Sequence, residues 1–252
     1  MGIYDGAPTT VDAAWSLVFG LVGSATSLAG RSQGYTLTSA VSGKAIRATN
    51  YFPQGINAQR SIKSTSPNDT SDGTGARTVT INYLNTSFVL KSETITLNGT
   101  TAVATANSDI AFIESMVVAS VGSAGGNVGT INFFTDNVGV GSIWGSIAAG
   151  DNQTFWAHHY VPAGVTCYIL GMSAGATVVA GQTNLNRSGN PLVSTNPQLQ
   201  IGATIVHAGG GTSNYNFAAP LSIVGPDLVW LVEHPVAPTV STVVAGFEYI
   251  QF

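Results

Sequence analysis

The sequence predicts an all-β chain, a jelly-roll-like antiparallel β-sandwich with an N-terminal arm or small extra region. Three observations carry that prediction. Short runs alternate apolar and polar residues with period two, turn-forming residues separate them at regular intervals, and no long stretch shows apolar residues at helical spacing. The 30 Gly and the many Thr, Ser and Asn residues fit the same pattern, Thr on exposed strand faces and Gly and Asn in the turns.

Residues 1–75 are expected to form an N-terminal arm or anchoring region, because short apolar patches mix there with turn formers and the periodicity is weak. Within it, the stretch 13–30 (AAWSLVFGLVGSATSLAG) carries no charge. Asp5 and Asp12 precede it where a signal peptide needs a basic region, and its length is at the lower limit for a membrane span. A core strand, a short helix or an interface arm is expected instead, and no membrane segment. The polar run 64–73 (STSPNDTSDG) reads as a loop or linker.

Residues 76–252 are expected to form the sandwich. Residues 78–84 (TVTINYL) alternate as a half-buried strand should, Asn85-Thr86-Ser87 turns the chain, and 88–97 reads as the partner strand. Asn98-Gly99 follows, a strong hairpin dipeptide because both residues tolerate positive φ. An apolar run at 110–121 ends in a Gly-rich turn, and 128–134 is expected to complete another hairpin. Strands follow at 143–147 and 153–161, separated by the turn 148–152. Pro162-Ala163-Gly164 is a tight turn, with Pro fixing φ at its start. The chain returns at 165–172, and further strands are expected at 177–180, 198–207, 215–224, 227–233 and 239–251.

Composition narrows the function. Charged residues make up only 8% of the chain, against about 25% in an ordinary soluble domain. With 44% hydrophobic residues the chain is not disordered, so sparse charge points to surface hidden against copies of itself or a larger particle. The net charge of -4 and the scatter of the eight basic residues argue against nucleic acid as a partner. Arg60 and Lys63 are expected to be solvated.

Four segments have a familiar look. Residues 118–131 (VASVGSAGGNVGTI), the turn 147–153 (IAAGDNQ) and the strand end 160–166 (YVPAGVT) resemble segments of tailed-bacteriophage virion structural proteins, and the closing 246–250 (GFEYI) is similar. The resemblance spans roughly residues 77–252. It implies a virion structural role, in capsid decoration or in a tail component, on a β-sandwich. Most of the shared residues are turn formers, which report a fold more than a chemistry.

The supply of reactive groups is thin, and no catalytic, cofactor-binding or metal-binding residue is assigned. Most of the carboxylates sit at turns, where Asp bonds its own backbone. Asp136 and Asp151 are the one pair weighed as glycosidase acids, and nothing in their spacing favours it. His158 and His159 are adjacent on an expected strand and so point to opposite faces, unable to chelate one metal. His207 and His234 are isolated, although a ring of His around an oligomer axis stays open. Gly209-Gly210-Gly211 lacks the Gly-Lys-Ser/Thr ending of a phosphate loop. Cys167, the single cysteine, lies in an apolar alternating run and reads as a small buried hydrophobe. Trp230 is expected in the core, and Trp156 is the better candidate for an exposed contact.

These readings converge on a non-enzymatic bacteriophage virion protein at the particle surface, a capsid decoration or cement protein that stabilises the head across capsomer seams. Its partners would be itself, as a homotrimer, and the major capsid protein or other virion proteins, with no nucleic acid and no membrane. The segment through Phe52 is the candidate contact element. The alternative is a tail, baseplate or fibre-tip protein binding host surface glycans, and a carbohydrate-active enzyme is the third reading.

Overall fold

A computed structural model describes residues 28–38, 44–45, 58–87, 89–177, 180–187, 199–208, 210–235 and 241–252. Among them every regular element is a β-strand and every pairing between strands is antiparallel, so the all-β sandwich expected from the sequence is what the chain forms. The uncharged stretch at 13–27 and Gly209 lie outside the described residues.

The strands gather around two hydrophobic cores. In the first, β3 (Ser61–Ser64), β6 (Val103–Ala104), β8 (Ile131–Phe134) and β9 (Ile143–Ile147) form a sheet in the order β6-β3-β8-β9. It faces a second sheet of β4 (Ala76–Asn85), β5 (Leu90–Thr96) and β7 (Ile110–Val121), in the order β5-β4-β7. The alternation of β4 explains its placement. Val79, Ile81 and Tyr83 enter the core with Met116, Phe133 and Trp144, while Thr78 and Thr80 stay on the outer face. There their hydroxyls bond across the sheet, Thr80 to Thr94 at 2.8 Å and Thr78 to Ser120 at 2.6 Å. β3 falls within the segment expected as an arm, and it is hydrogen bonded between β6 and β8.

The second core lies between the sheet β1 (Leu28–Thr38), β16 (Ser241–Gln251), β11 (Thr166–Ala176) and β14 (Gly211–Val224), in that order, and the sheet β10 (His158–Val161), β15 (Asp227–Pro235), β12 (Gly181–Arg187) and β13 (Leu199–His207). The short β2 (Lys44–Ala45) pairs with β15. Cys167, Ile169, Met172, Leu231 and Phe247 fill the interior. Cys167 is fully buried and free, as its apolar run predicts, and burial pushes its thiol up to about 12. The expected turn at Pro162-Ala163-Gly164 forms, with Gly164 at φ 78° and the Val165 N–H donating to the Pro162 carbonyl at 3.2 Å.

A third apolar cluster joins the two halves. Leu84 and Phe112, on the outward side of the β4–β7 sheet, pack with Tyr160, Leu228, Trp230 and Val232 of the second sandwich. Trp230 is buried there, as expected.

Several local expectations are corrected. Asn98-Gly99 does turn the chain, with Gly99 at φ 59°, but it closes no hairpin. β6, which follows it, joins β3, and β7 pairs with β4. Likewise 128–134 does not pair with the preceding run, because β8 lies between β3 and β9. Only His158–Val161 of the expected strand 153–161 is a strand. The stretch expected as a strand at 177–180 leaves β11 behind at Ala176 and reaches β12 only at Gly181; residues 178–179 lie outside the described residues.

Candidate functional site

The described carboxylates are mostly committed to holding loops. Asp69 is fully buried at the centre of the stretch expected as a linker. It accepts the backbone N–H groups of Ala76 at 2.8 Å, Val128 at 2.9 Å and Gly129 at 2.8 Å, and the Ser64 hydroxyl at 2.6 Å. A residue expected to bond only its own turn thus ties together segments far apart in sequence. Glu93 accepts the N–H groups of Ala106 at 2.6 Å and Asn107 at 3.1 Å. Asp227, fully buried, accepts the Leu228 N–H at 2.8 Å and pairs with Arg187 at 2.6 Å.

Asp136 and Asp151 do not meet. In the β8–β9 hairpin Ile131 is opposite Ile147 and Phe134 opposite Ile143, so Asp136 lies past one end and Asp151 past the other. The hairpin's length, about 3.3 Å for each residue, separates them.

One titratable cluster does form, at the seam between the sandwiches. His158 and His159 leave β10 on different sides, yet both approach Glu114 of β7. His158 Nε2 lies 3.4 Å from one carboxylate oxygen and His159 Nδ1 lies 4.0 Å from the other. The two rings do leave on opposite faces, and Glu114 sits where both can reach it. His159 Nε2 is also 2.8 Å from Gln251 Oε1, and its ring stacks on Tyr249 at 3.9 Å. Burial would raise the Glu114 pKa, but the two imidazoles and the Tyr160 N–H outweigh it and hold the carboxyl below the usual range. Burial lowers His159 despite the opposing pull of Glu114 and Gln251. Carboxylate and imidazole could exchange a proton, but Phe112 and Trp156 enclose the His158 ring, whose side chain is 1% exposed. The cluster is built as a seam between halves. Among the described residues, no group of three or more His, Cys, Asp and Glu is arranged to hold a metal ion.

Two expectations, one aromatic and one cationic, are overturned here. Trp156 is buried in the first core, although it lies outside any regular strand. Arg60 is also buried, with its guanidinium over the Trp144 ring at 4.7 Å and donating to the carbonyls of Thr135 and Ile110. Lys63 reaches the Gly139 carbonyl at 2.7 Å and lies 5.0 Å from the Phe134 ring centre.

Those two cations brace the feature that stands out as a contact surface, the β8–β9 loop at 135–142. Asp136 accepts the N–H groups of Val138 at 3.2 Å, Gly139 at 2.7 Å and Val140 at 3.2 Å. These bonds outweigh the desolvation of Asp136 and hold its carboxyl below the usual range. Thr135 and Ser142 close the loop base with a 3.0 Å bond. Gly139 takes φ 73°, and a Cβ there would meet Ala102 at 2.7 Å, so the tip needs glycine. The result is a rigid loop that points apolar side chains outward, with Val138 60% and Val140 80% exposed. Arg60 links this loop to Ile110, which pairs with Asn85 beside the turn that leads through Val89 into β5. Val89 is 52% exposed and Leu90, the first residue of β5, 63%, so one end of the first sandwich presents apolar residues on the braced loop and at the start of β5. Nothing in the local sequence separates these valines from core residues, and the Asp-Asn-Val-Gly spacing is the one signal that marks the tip as a turn.

On the outer face of the β1–β14 sheet, a shallow polar groove of about 270 Å³ is floored by Gly171 and Gly246 and edged by Ser173, Asn214, Asn216 and Glu248.

No family model matches the chain, and no curated protein matches it. Among solved structures it is similar to the chain of the infectious bursal disease virus Gx strain, at 9% identity and a TM-score of 0.28, over 95% of this chain and 77% of that one. A second similar structure is the infectious bursal disease virus VP2 subviral particle, at 8% identity and a TM-score of 0.21, over 95% and 77%. Similarity at this level establishes neither family nor function.

Proposed function

We propose that the chain is a bacteriophage virion structural protein that decorates the capsid surface and stabilises the head across capsomer seams. The observation that carries this reading is the braced apolar tip at 135–142. A soluble monomer gains nothing from holding two exposed valines rigidly, whereas an assembly subunit gains a docking surface whose ordering cost is already met. The sparse charge of the chain and the resemblance of its segments to tailed-bacteriophage virion proteins support the same reading. Self-association as a homotrimer, with further contacts from the segment through Phe52, belongs to this proposal. So does a role without catalysis, in which the carboxylates serve loops and seams.

The test is re-addition of purified protein to particles lacking it. The double variant V138D/V140D should fold as the parent does, since both positions are exposed, and should bind the particles about 30-fold more weakly. That factor corresponds to about 2 kcal/mol of lost apolar contact. Binding equal to the parent's would remove the tip from the docking surface. Heads carrying the parent protein should also release DNA at a higher temperature than bare heads.

The glycine-floored groove favours the second reading, a tail, baseplate or fibre-tip protein that binds host glycans. Amide and carboxylate side chains over an open floor suit hydroxyl-rich ligands. Immunogold label on tails rather than heads would favour it.

A further inference from the structure

We infer that neighbouring copies of this chain join through the edges of one sheet, β14 of one copy pairing antiparallel with β1 of the next. The inference rests on the self-association proposed above and supplies its geometry.

β14 and β1 are the two edge strands of the order β1-β16-β11-β14, and among the described residues each has one strand partner. Of the fourteen residues of β14 only Ile223 is buried. From Gly211 to Asn216 the strand is open on both faces, with Ser213 alone half-buried. Tyr215 pairs with the core residue Met172, yet it is 47% exposed, so among the described residues the sandwich is left open along this edge. An edge of this kind is normally guarded by charge, a proline or a cover. β14 contains no charged residue, and its one proline, Pro220, falls in the irregular stretch between Asn216 and Leu221, outside the open segment.

The occupant follows from strand direction. With four strands alternating in sense, β1 and β14 run oppositely within one copy. Two copies oriented alike, as around a rotation axis parallel to the strands, therefore bring β14 and the next β1 together antiparallel. Such a contact is heterologous and closes into a ring when the rotation allows. The register rows make the edges comparable: Gln33, Gly246, Ser173 and Asn214 form one line across the sheet, and Tyr35, Val244, Gly175 and Thr212 form another. Because Arg31 is the only charge on β1 and β14 has none, no like charges meet.

The experiment is cysteine cross-linking of the full chain, with light scattering of the unmodified protein. Gln33→Cys is combined in turn with Thr212→Cys, Asn214→Cys and Asn216→Cys, which spans the registers that sheet closure would allow. Cys167 is buried and leaves the background clean. Under mild oxidation at least one pair should give a ladder of two and three linked chains, while each single variant stays unlinked. Light scattering should give three times the 25.8 kDa chain mass. Linked dimers from Asn214→Cys alone would show β14 pairing with itself and overturn the inference. A trimer in which no pair links would overturn the strand contact while leaving the virion reading intact. A monomeric parent protein would overturn the contact as well. Particle binding by the re-addition assay is scored separately, so failure of the virion reading is distinguishable from failure of the contact.

Discussion

Replacing Asp69 with Ala should destabilise the first sandwich more than any other single change to a polar residue described above. The carboxylate holds three backbone N–H groups and one hydroxyl, all at 2.9 Å or less. The Ser64 hydroxyl can turn to another acceptor, but the Ala76 and Gly129 amides are buried and fixed by the backbone. Each buried donor left without a partner costs about 1–3 kcal/mol, so the pair alone gives about 4 kcal/mol. For a chain of this size that corresponds to a Tm lower by about 8–16 °C. In the parent a Cβ at Gly75 would collide with Asp69 Oδ1, which shows how tightly the loop is closed around the carboxylate. The assay is thermal unfolding followed by circular dichroism, with Asp72→Ala as control. Asp72 is exposed in the same loop and should shift stability by no more than about 0.5 kcal/mol. If the two variants melted within about 2 °C of each other, Asp69 would not be the fastener its hydrogen bonds imply.

Arg60→Met keeps much of the side-chain volume over Trp144 but removes the donors to the Thr135 and Ile110 carbonyls; urea unfolding should show a loss of about 2–4 kcal/mol. Stability should also depend on pH through the seam. His159 has a folded pKa below its unfolded value of about 6.5, so unfolded chains take up the proton first and stability falls as pH drops below that value. Glu114, depressed in the folded state, adds stability that is present above about pH 4.3 and is lost as pH falls through its folded value. The Tm of the parent should therefore decline from pH 7.5 to 5, and H159Q should flatten that decline. Asp136→Ala should leave global stability within about 1 kcal/mol, because the loop is exposed, but weaken particle binding several-fold by freeing the valines.

How much of this was legible depends on the range of the interactions. The alternation in 78–84 and 165–172 reads directly as β4 and β11, because one face of each is buried and period two is a local property. Cys167 and Trp230 are placed correctly for the same reason. The partners are another matter. β1 pairs with β16 from opposite ends of the sequence, with Leu28 opposite Gln251, and no local signal encodes that register. Arg60 reads as solvated from its polar neighbours, since the carbonyl and ring that receive it are contributed by distant loops. Trp156 fills the first core from an irregular segment where alternation gives no guidance. His158 and His159 do alternate, but period two says nothing about a carboxylate on a neighbouring sandwich that lies between their reach. Asn98-Gly99 specifies a turn and not what the turn connects; the next strand crosses to the facing sheet.

A cryo-EM map of the native particle puts the whole proposal at risk in one step. It should show this chain on the outer surface of the head, lying across the junctions between capsomers, with residues 135–142 inserted against the shell. Density for the chain confined to the tail, or a head-bound chain whose 135–142 loop faces bulk solvent, would contradict it.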